Sequence, residues 1–282
     1  MNPETILIDT LKLESWLRIS RNYFFSLFAF AVLAACGASD AREEVSQTVA
    51  EPAGQAAAKK TIQPVSPEIL AYAGTGSPRF EGDGGTANVA GLFAPTAVAF
   101  DSRGNLYIST DNRVRKVDKE TDVITTIAGT GRNRSAGDDE PATTGSLAEA
   151  KGMIFDAADN LFVVEKGGGR VRMIDAFTGI ITTVAGGGVG NPREKIFGDG
   201  GPATKAMVKL PDDVAVDSEG NLYIGTDNRI RKVYAATGII DTIAGTGDRG
   251  LEGDGGPATE AQMAEPVSLA LDSQNNIFIV DS

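Results

Sequence analysis

Histidine is absent from the 282-residue chain, and cysteine occurs once. Without histidine, the sequence excludes Ser-His-Asp and Cys-His catalytic triads, histidine-ligated zinc sites and the usual general base near neutral pH. Catalysis by carboxylates alone is still feasible, so an enzyme is disfavoured but not excluded. A single cysteine cannot form a disulfide within the chain, and its role has to be sought elsewhere.

Positive charge and aromatic side chains are also scarce. The 26 Lys and Arg residues stand against 38 Asp and Glu residues, giving a net charge of −12, and aromatic residues make up 6% of the chain. Binding to nucleic acid needs a basic surface, and binding to single strands also needs stacking aromatics, so we expect no nucleic-acid partner. An acidic balance is typical of solubility, although carboxylates gathered on one face would bind cations.

One uncharged apolar run lies near the N-terminus, at residues 24–35. Its twelve residues are too few for a helix that spans a bilayer, which needs about 20. The length suits the apolar region of a secretory signal peptide, and Lys12, Arg18 and Arg21 supply the positive flank. The run ends in the sequence LAAC, whose last residue is Cys36, the only cysteine.

The LAAC sequence resembles a bacterial lipobox. The resemblance implies a lipoprotein signal peptide at residues 1–35, cleavage before Cys36 and lipidation of Cys36, with an ordinary signal peptide as the alternative. It also implies a lipid-anchored protein of the bacterial cell envelope, facing the periplasm or the exterior. Because Gly37 follows the cysteine, the anchor would lie in the outer membrane of a double-membraned bacterium. Residues 36–66 are poor in large apolar groups and are predicted to form a flexible linker.

The rest of the chain repeats itself, with phrases that return every 55 to 59 residues. In one unit, which spans residues 197–247, these phrases are FGDGGPAT, VAVDSEGNLYIGT, RIRKVY and TIAGTG. Each unit reads as four strands, predicted in the first unit at residues 97–101, 105–110, 113–118 and 123–129. The first strand is apolar on both faces, as in the inner strand of a stacked sheet, whereas the Thr-rich fourth strand suits an exposed outer edge.

These phrases resemble the NHL repeat of bacterial propeller proteins. The resemblance implies that residues 67–282 form an all-β domain, a β-propeller of NHL-type four-stranded blades. The last unit stops at Ser282 after its second strand, so we expect an incomplete, C-terminally truncated propeller of about three full blades plus partial ones. Residues 68–73 are predicted to complete the last blade as an outer strand. An open arc would expose apolar faces and strand edges, which predicts self-association.

Candidate ligand-binding residues lie in loops predicted to emerge on one face. Carboxylates converging there would bind calcium, whereas the alternative makes GDGG a plain turn in which the aspartate bonds to its own backbone. Breaks in the repeat, at 137–140, 165–169 and 188–197, are further candidates because they would give one sector its own chemistry, with loop drift without function as the alternative. The predicted ligand-binding residues are Asp83, Asp138, Asp139, Glu140, Glu165, Lys166, Arg193, Asp199 and Asp254.

The third strands carry a regular series of arginines, which we expect to pair with the acidic turns and with neighbouring blades. These arginines are Arg113, Arg115, Arg170, Arg172, Arg229 and Arg231. Taken together, the sequence predicts a non-catalytic, membrane-tethered binding or scaffold propeller whose partner is an envelope protein or a glycan. The alternative, implied by the propeller resemblance, is a calcium-dependent hydrolase or lactonase of the six-bladed type.

Overall fold

A computed structural model describes residues 6–8, 69–190 and 197–282. The chain divides into two units, Met1–Lys12 with Ala71–Ser282 and Leu13–Leu70, and every described strand and helix belongs to the first. The apolar run of the predicted signal peptide, Cys36 and the predicted linker lie outside the described residues. Within the described ranges, no helix is long and apolar enough to cross a membrane.

The first unit is built from strands, grouped into four sheets that we number as blades 1 to 4. Strand β1 spans Ile6–Ile8, and blade 1 follows with β2 (Ala97–Phe100), β3 (Leu106–Thr110), β4 (Arg113–Val117) and β5 (Ile124–Ala128). Blade 2 contains β6 (Glu140–Pro141), β7 (Ala150–Phe155), β8 (Leu161–Glu165), β9 (Arg170–Ile174) and β10 (Ile180–Gly186). Blade 3 contains β11 (Gly201–Pro202), β12 (Asp213–Val216), β13 (Leu222–Thr226), β14 (Arg229–Val233) and β15 (Ile239–Ala244). Blade 4 contains β16 (Pro266–Leu271) and β17 (Ile277–Asp281), and 3-10 turns lie at Ala87–Val89, Ala203–Lys205 and Ala258–Glu260.

This architecture is an all-β propeller, as predicted, with three full blades and a partial fourth among the described residues. Within each full blade the four long strands are antiparallel neighbours in chain order. The inner strands β2, β7, β12 and β16 contact one another in that order, so the blades stack side by side. In blade 1, each observed strand end lies within one residue of its predicted position.

The hydrophobic core lies between successive blades, because the inner strands are apolar on both faces. Between blades 2 and 3, Val164, Val171 and Ile224 are fully buried. Between blades 1 and 2, the rings of Tyr107 and Phe155 meet edge to face, with centroids 4.7 Å apart. Burial of such side chains contributes roughly 1.5–3 kcal/mol each, which makes blade stacking the main source of stability.

The fourth strand of each full blade is not the exposed edge that the sequence predicted. Two-residue strands cover it in blades 2 and 3, where β6 pairs with β10 and β11 pairs with β15. In blade 1 a single bridge between Thr86 and Val123 takes their place. The reason is that the GDGGPAT segment, on its way to the inner strand of a blade, first crosses that blade's outer strand.

The prediction that residues 68–73 complete the last blade is wrong for the described residues 69–73, which form no strand. Next to them, the backbone N–H of Gly74 donates to the carbonyl oxygen of Ala87 at 2.9 Å. The equivalent Gly245 donates to Ala258 at 2.9 Å, so this segment docks on the next GDGGPAT phrase, as its counterparts do. Strand β17 instead pairs in parallel with β1, which lies inside the predicted signal peptide. That peptide stays a prediction.

An internal brace fixes the turn between the first and second strands, at the end of the blades that we call the lower face. The Asp101 carboxylate accepts hydrogen bonds from the Asn105 side chain at 2.7 Å and from the backbone N–H groups of Arg103 and Asn105 at 3.0 and 2.9 Å. The Asn105 side-chain oxygen in turn accepts from the backbone of Lys119 at 3.0 Å, which ties in the turn between the third and fourth strands. Partial burial of the carboxylate tends to raise the pKa of Asp101, but the hydrogen bonds outweigh this effect and lower the pKa below its ordinary value.

Candidate functional site

The aspartates of the GDGG phrases lie on the outer side of the blades. In blades 1 to 3 each forms an ion pair with a buried third-strand arginine, and the pairs are Asp83 with Arg115, Asp138 with Arg172 and Asp199 with Arg231. The first two pairs measure 2.6 and 2.8 Å between nitrogen and oxygen. The predicted pairing of arginines with acidic turns is therefore confirmed here. The predicted bond from the aspartate to its own turn is not what is found, because the phrase crosses the blade beside the arginine.

These carboxylates also do not converge on one another. Within residues 69–190 and 197–282, no three acidic side chains are grouped closely enough to hold a metal ion. Asp139, Glu140 and Asp254 are exposed, and Arg193 lies outside the described residues. The loops that were predicted to form a single acidic face are thus distributed around the outside of the blades, one per unit.

Glu165 is the exception among the predicted acidic residues, because its side chain is fully buried. Its carboxylate accepts hydrogen bonds from Ser135 and, at 3.1 Å, from Arg172, which also binds Asp138. In blade 1 the equivalent position is Thr110, which donates to a backbone oxygen instead. Burial raises the pKa of Glu165 above its ordinary value, although the bonds from Ser135 and Arg172 oppose the shift.

Lys166 lies at the end of the blades opposite to the lower face, and we call this end the upper face. Its ammonium group contacts Asp212 at 2.7 Å and Glu265 at 3.3 Å, residues that immediately precede the inner strands of blades 3 and 4. Partial burial works against the charged form, but these two carboxylates raise the pKa of Lys166 above its ordinary value. One predicted ligand residue therefore links three blades and stays protonated at neutral pH.

A groove of about 390 Å³ opens on the upper face between blades 1 and 2, and we call it the inter-blade groove. It is lined by Phe93, Ala94, Thr96, Asp111, Asn112, Glu149, Ala150, Lys151 and Lys166. The Phe93 ring is partly exposed, and neither Glu149 nor Lys151 bonds through its side chain to any described residue. The groove thus combines an open aromatic ring with a carboxylate and an ammonium group that have no partner in the part of the chain that the structure describes.

Local sequence explains why this groove has its own chemistry. Blade 2 places Glu149, Lys151 and Lys166 at positions that in blade 1 are occupied by Ala94, Thr96 and Asp111. The backbone at the first of these positions is the same in both blades, with φ of 46° at Ala94 and 52° at Glu149. A positive φ is unusual for such residues and holds the side chain in one direction. The two blades therefore share the backbone conformation at this position, and they differ in the side chains that it carries.

A second concavity, the outer pocket, has a volume of about 360 Å³ and lies between the outer strand of blade 2 and the 3-10 turn that precedes blade 3. It is lined by Asp138, Asp139, Arg170, Thr182, Thr183, Gly186, Gly187, Thr204 and Lys205. The structure thus brings two predicted ligand residues, Asp138 and Asp139, into one pocket. It places Lys166 in a different site on the upper face.

Several residues that line the two sites could not be identified from the repeat pattern. The repeat pattern does not mark Phe93, Glu149, Lys151 or Ser135, and it makes Arg170 one member of a regular series. The available signal was a position-by-position comparison of the units just before the first strand and just after the second. At those positions the units differ most, whereas the Asp–Asn brace of the lower face recurs at Asp101, Asp156, Asp217 and Asp272.

No protein-family profile matches the chain. Among curated proteins, it is 24% identical over 237 residues to Protein SUPPRESSOR OF QUENCHING 1, chloroplastic, of Arabidopsis thaliana, an alignment that covers 80% of this chain and 22% of that protein. It is 29% identical over 205 residues to Teneurin-3 of Danio rerio, covering 68% of this chain and 7% of that protein. The chain therefore spans about a fifth or less of these relatives.

Two solved structures are similar in fold. A structural genomics protein of unknown function from Bacteroides thetaiotaomicron matches with a TM-score of 0.51 and 22% identity, covering 67% of this chain and 44% of that one. An auxiliary nutrient binding protein from Bacteroides ovatus matches with a TM-score of 0.51 and 17% identity, covering 68% and 46%. The chain spans less than half of either structure, and at these identities the likeness shows the propeller fold.

Proposed function

We propose that this chain is a membrane-tethered binding protein of the bacterial cell envelope, whose NHL-type propeller holds a glycan in the inter-blade groove. The observation that carries the proposal is the open ring of Phe93 beside Glu149 and Lys151, whose side chains have no partner among the described residues. The NHL assignment is supported by the recurring GDGGPAT, DSEGNLYI and RIRKV phrases. The tether is supported by the LAAC sequence that ends at Cys36.

The chemistry of the groove suits a sugar ring. One face of a pyranose presents C–H groups, which pack on an aromatic ring, while its hydroxyl groups both donate and accept hydrogen bonds. Phe93 offers the aromatic surface, Glu149 offers acceptors, and Lys151 offers donors. A volume of about 390 Å³ lies within the range of roughly 300–1,000 Å³ that is typical of small-molecule sites.

The groove is also held in shape before any ligand arrives. The Thr96 hydroxyl donates to the backbone oxygen of Ala150 at 2.9 Å, and the backbone N–H of Glu149 donates to the side chain of Asn112 at 2.8 Å. Both bonds cross from blade 1 to blade 2, so they fix the width of the groove. Binding to a preformed site loses less conformational entropy, which favours a useful affinity from few contacts.

The alternative of a calcium-dependent hydrolase can be tested separately from glycan binding. The fold is compatible with a binding role, since the Bacteroides ovatus protein that shares it is a nutrient binding protein. A calcium-dependent hydrolase would need a set of unlike carboxylates around one ion, and no such set occurs in the part of the chain that the structure describes. Calcium at 1 mM that raised the melting temperature by several degrees would favour the hydrolase over the glycan-binding role.

The test is calorimetric titration of the full-length chain in detergent with a panel of neutral oligosaccharides, such as cellotriose, chitotriose and maltotriose. Loss of the aromatic surface in Phe93→Ala should weaken the best binder about tenfold. The matched control is Phe177→Ala, because Phe177 is 97% exposed and lies in a turn of the lower face. Equal affinities of the two variants, or no binding to any glycan, would contradict the proposal and favour a protein ligand.

A further inference from the structure

Arg170 differs from its equivalents in blades 1 and 3. In those blades the first arginine of the third strand forms an ion pair with the aspartate that follows the second strand, in the pairs Arg113–Asp111 and Arg229–Asp227. Each of these arginines also lies against a phenylalanine ring. The guanidinium carbon is 3.8 Å from the ring centroid of Phe80 for Arg113 and 4.3 Å from that of Phe197 for Arg229.

Blade 2 lacks both kinds of partner. Lys166 occupies the position of the aspartate, and Ser135 and Ala136 precede the GD phrase where the other two blades have a phenylalanine. Arg170 donates one hydrogen bond, to the Ser135 hydroxyl at 2.8 Å, and forms no ion pair with any residue in 69–190 or 197–282. Its Nε has no hydrogen-bond partner among the described residues, which is also true of the Nε atoms of Arg172 and Arg231. The rest of the Arg170 side chain is partly exposed and lines the outer pocket, so its guanidinium group can pair with an acceptor that arrives from outside.

The rest of the outer pocket indicates which acceptor fits. Lys205 adds a second positive charge on the rim, and Thr182 and Thr204 offer hydroxyl groups. Asp138 is already engaged by Arg172 and Thr183, whereas the Asp139 side chain is exposed and unpaired among the described residues. An arginine fork matches a carboxylate or a phosphate in geometry. The two aspartates would repel a phosphate dianion more strongly than a carboxylate, and Asp139 would accept from a hydroxyl group.

We propose that the outer pocket binds a hydroxylated monocarboxylate of the uronic-acid type, with its carboxylate on Arg170 and Lys205. The sugar hydroxyls then face Thr182, Thr204 and Asp139. This pocket shares no residue with the inter-blade groove. Its ligand is acidic, whereas the groove is proposed to take a neutral glycan, and either site can exist without the other.

The test is titration of the full-length chain in detergent with glucuronate, glucose and inorganic phosphate in parallel. Glucuronate should bind at least tenfold more tightly than glucose or phosphate. Arg170→Gln should lower the affinity for glucuronate at least tenfold. The matched control is Arg229→Gln, because Arg229 already has aspartate and phenylalanine partners. This variant should leave the affinity for glucuronate unchanged. Because Lys205 is exposed, Lys205→Met tests the same pocket without risk to folding and should weaken glucuronate severalfold.

Three results would overturn the inference. Equal affinity for glucose and glucuronate would show that the carboxylate is not recognised. Tighter binding of phosphate would replace the uronic acid with an inorganic or phosphorylated ligand. Unchanged glucuronate affinity in both Arg170→Gln and Lys205→Met would move the site elsewhere. A chain that binds no neutral oligosaccharide but binds glucuronate through Arg170 would refute the glycan groove and leave this inference standing.

Discussion

Ser135 lies just before the break in the repeat at 137–140 and Glu165 begins the break at 165–169, yet the Ser135 hydroxyl donates a hydrogen bond to the buried Glu165 carboxylate. In blade 1 the equivalent residues are Phe80 and Thr110, which serve other partners. The two departures in blade 2 are therefore coupled, since one introduces a buried charge and the other helps to satisfy it. Arg172 and Arg170 flank the pair, so the substitutions that create the outer pocket form one connected network.

Glu165→Gln should change how stability depends on pH. Burial gives Glu165 a higher pKa in the folded state than in the unfolded state, so the folded state holds its proton more tightly. The folding stability that this shift contributes is therefore fully present below the ordinary glutamate pKa, and it is lost as the pH rises through the higher pKa of the folded state. The free energy of unfolding of the variant, relative to the natural chain, should increase across this window. Melting curves from pH 4 to pH 8 measure the difference, with exposed Glu120→Gln as the charge-matched control, and parallel curves would contradict the expectation.

Asp217→Ala should destabilise the propeller strongly, because it removes the brace of blade 3. The Asp217 carboxylate accepts from the backbone of Glu219 and Asn221 at 3.0 and 2.8 Å, and from the Asn221 side chain at 2.8 Å. Leaving these partly buried donors unpaired should cost about 2–4 kcal/mol. Urea denaturation measures the loss. Asp254→Ala is the control, since Asp254 is exposed, and a similar effect at both positions would show that the brace is not the cause.

The open face of blade 1 should drive self-association. Val98 and Phe100 point to the same side of β2, and each is 62% exposed. Exposed apolar groups on an unpaired sheet face favour contacts between molecules. Phe100→Ser should shift the chain from larger species towards the monomer, as measured by light scattering over a range of concentrations in detergent. Phe177→Ser is the control, because Phe177 is exposed in a turn, and an equal shift for both would point to general surface hydrophobicity.

The lipobox resemblance leads to a prediction about the mature chain. Expressed in a bacterium with a lipoprotein pathway, the chain should begin at Cys36 and carry lipid on it, as measured by mass spectrometry of the N-terminal peptide. Cleavage would also remove Ile6–Ile8, the residues of β1 that pair with β17. Cys36→Ser should block lipidation and move the protein out of the detergent phase. Cleavage at another bond with normal partitioning in the variant would favour the ordinary signal peptide.

The elements predictable from sequence are those whose causes lie within one unit. Strand bounds follow from the phrases that recur in each unit, and the positive φ of Gly104, at 82°, follows from the tight turn that it occupies. The covered outer strand was not predictable in the same way, because it depends on the path of a segment arriving from the preceding unit. The inter-blade groove was missed for a similar reason. Glu149 and Phe93 are 56 positions apart in the sequence, and only the stacking of blades brings them to one surface.

The two-residue strands beside the outer strands influence how such a chain can evolve. Because Glu140 is paired with Ile181 and Gly201 with Ile240, the beginning and the end of a unit lie next to each other in space. A tandem duplication of the gene segment for one unit would therefore add a blade without stretching the chain on either side, and a deletion would remove one as cleanly. Blade number can then drift between relatives while the chemistry of each new copy diverges on its upper and outer surfaces.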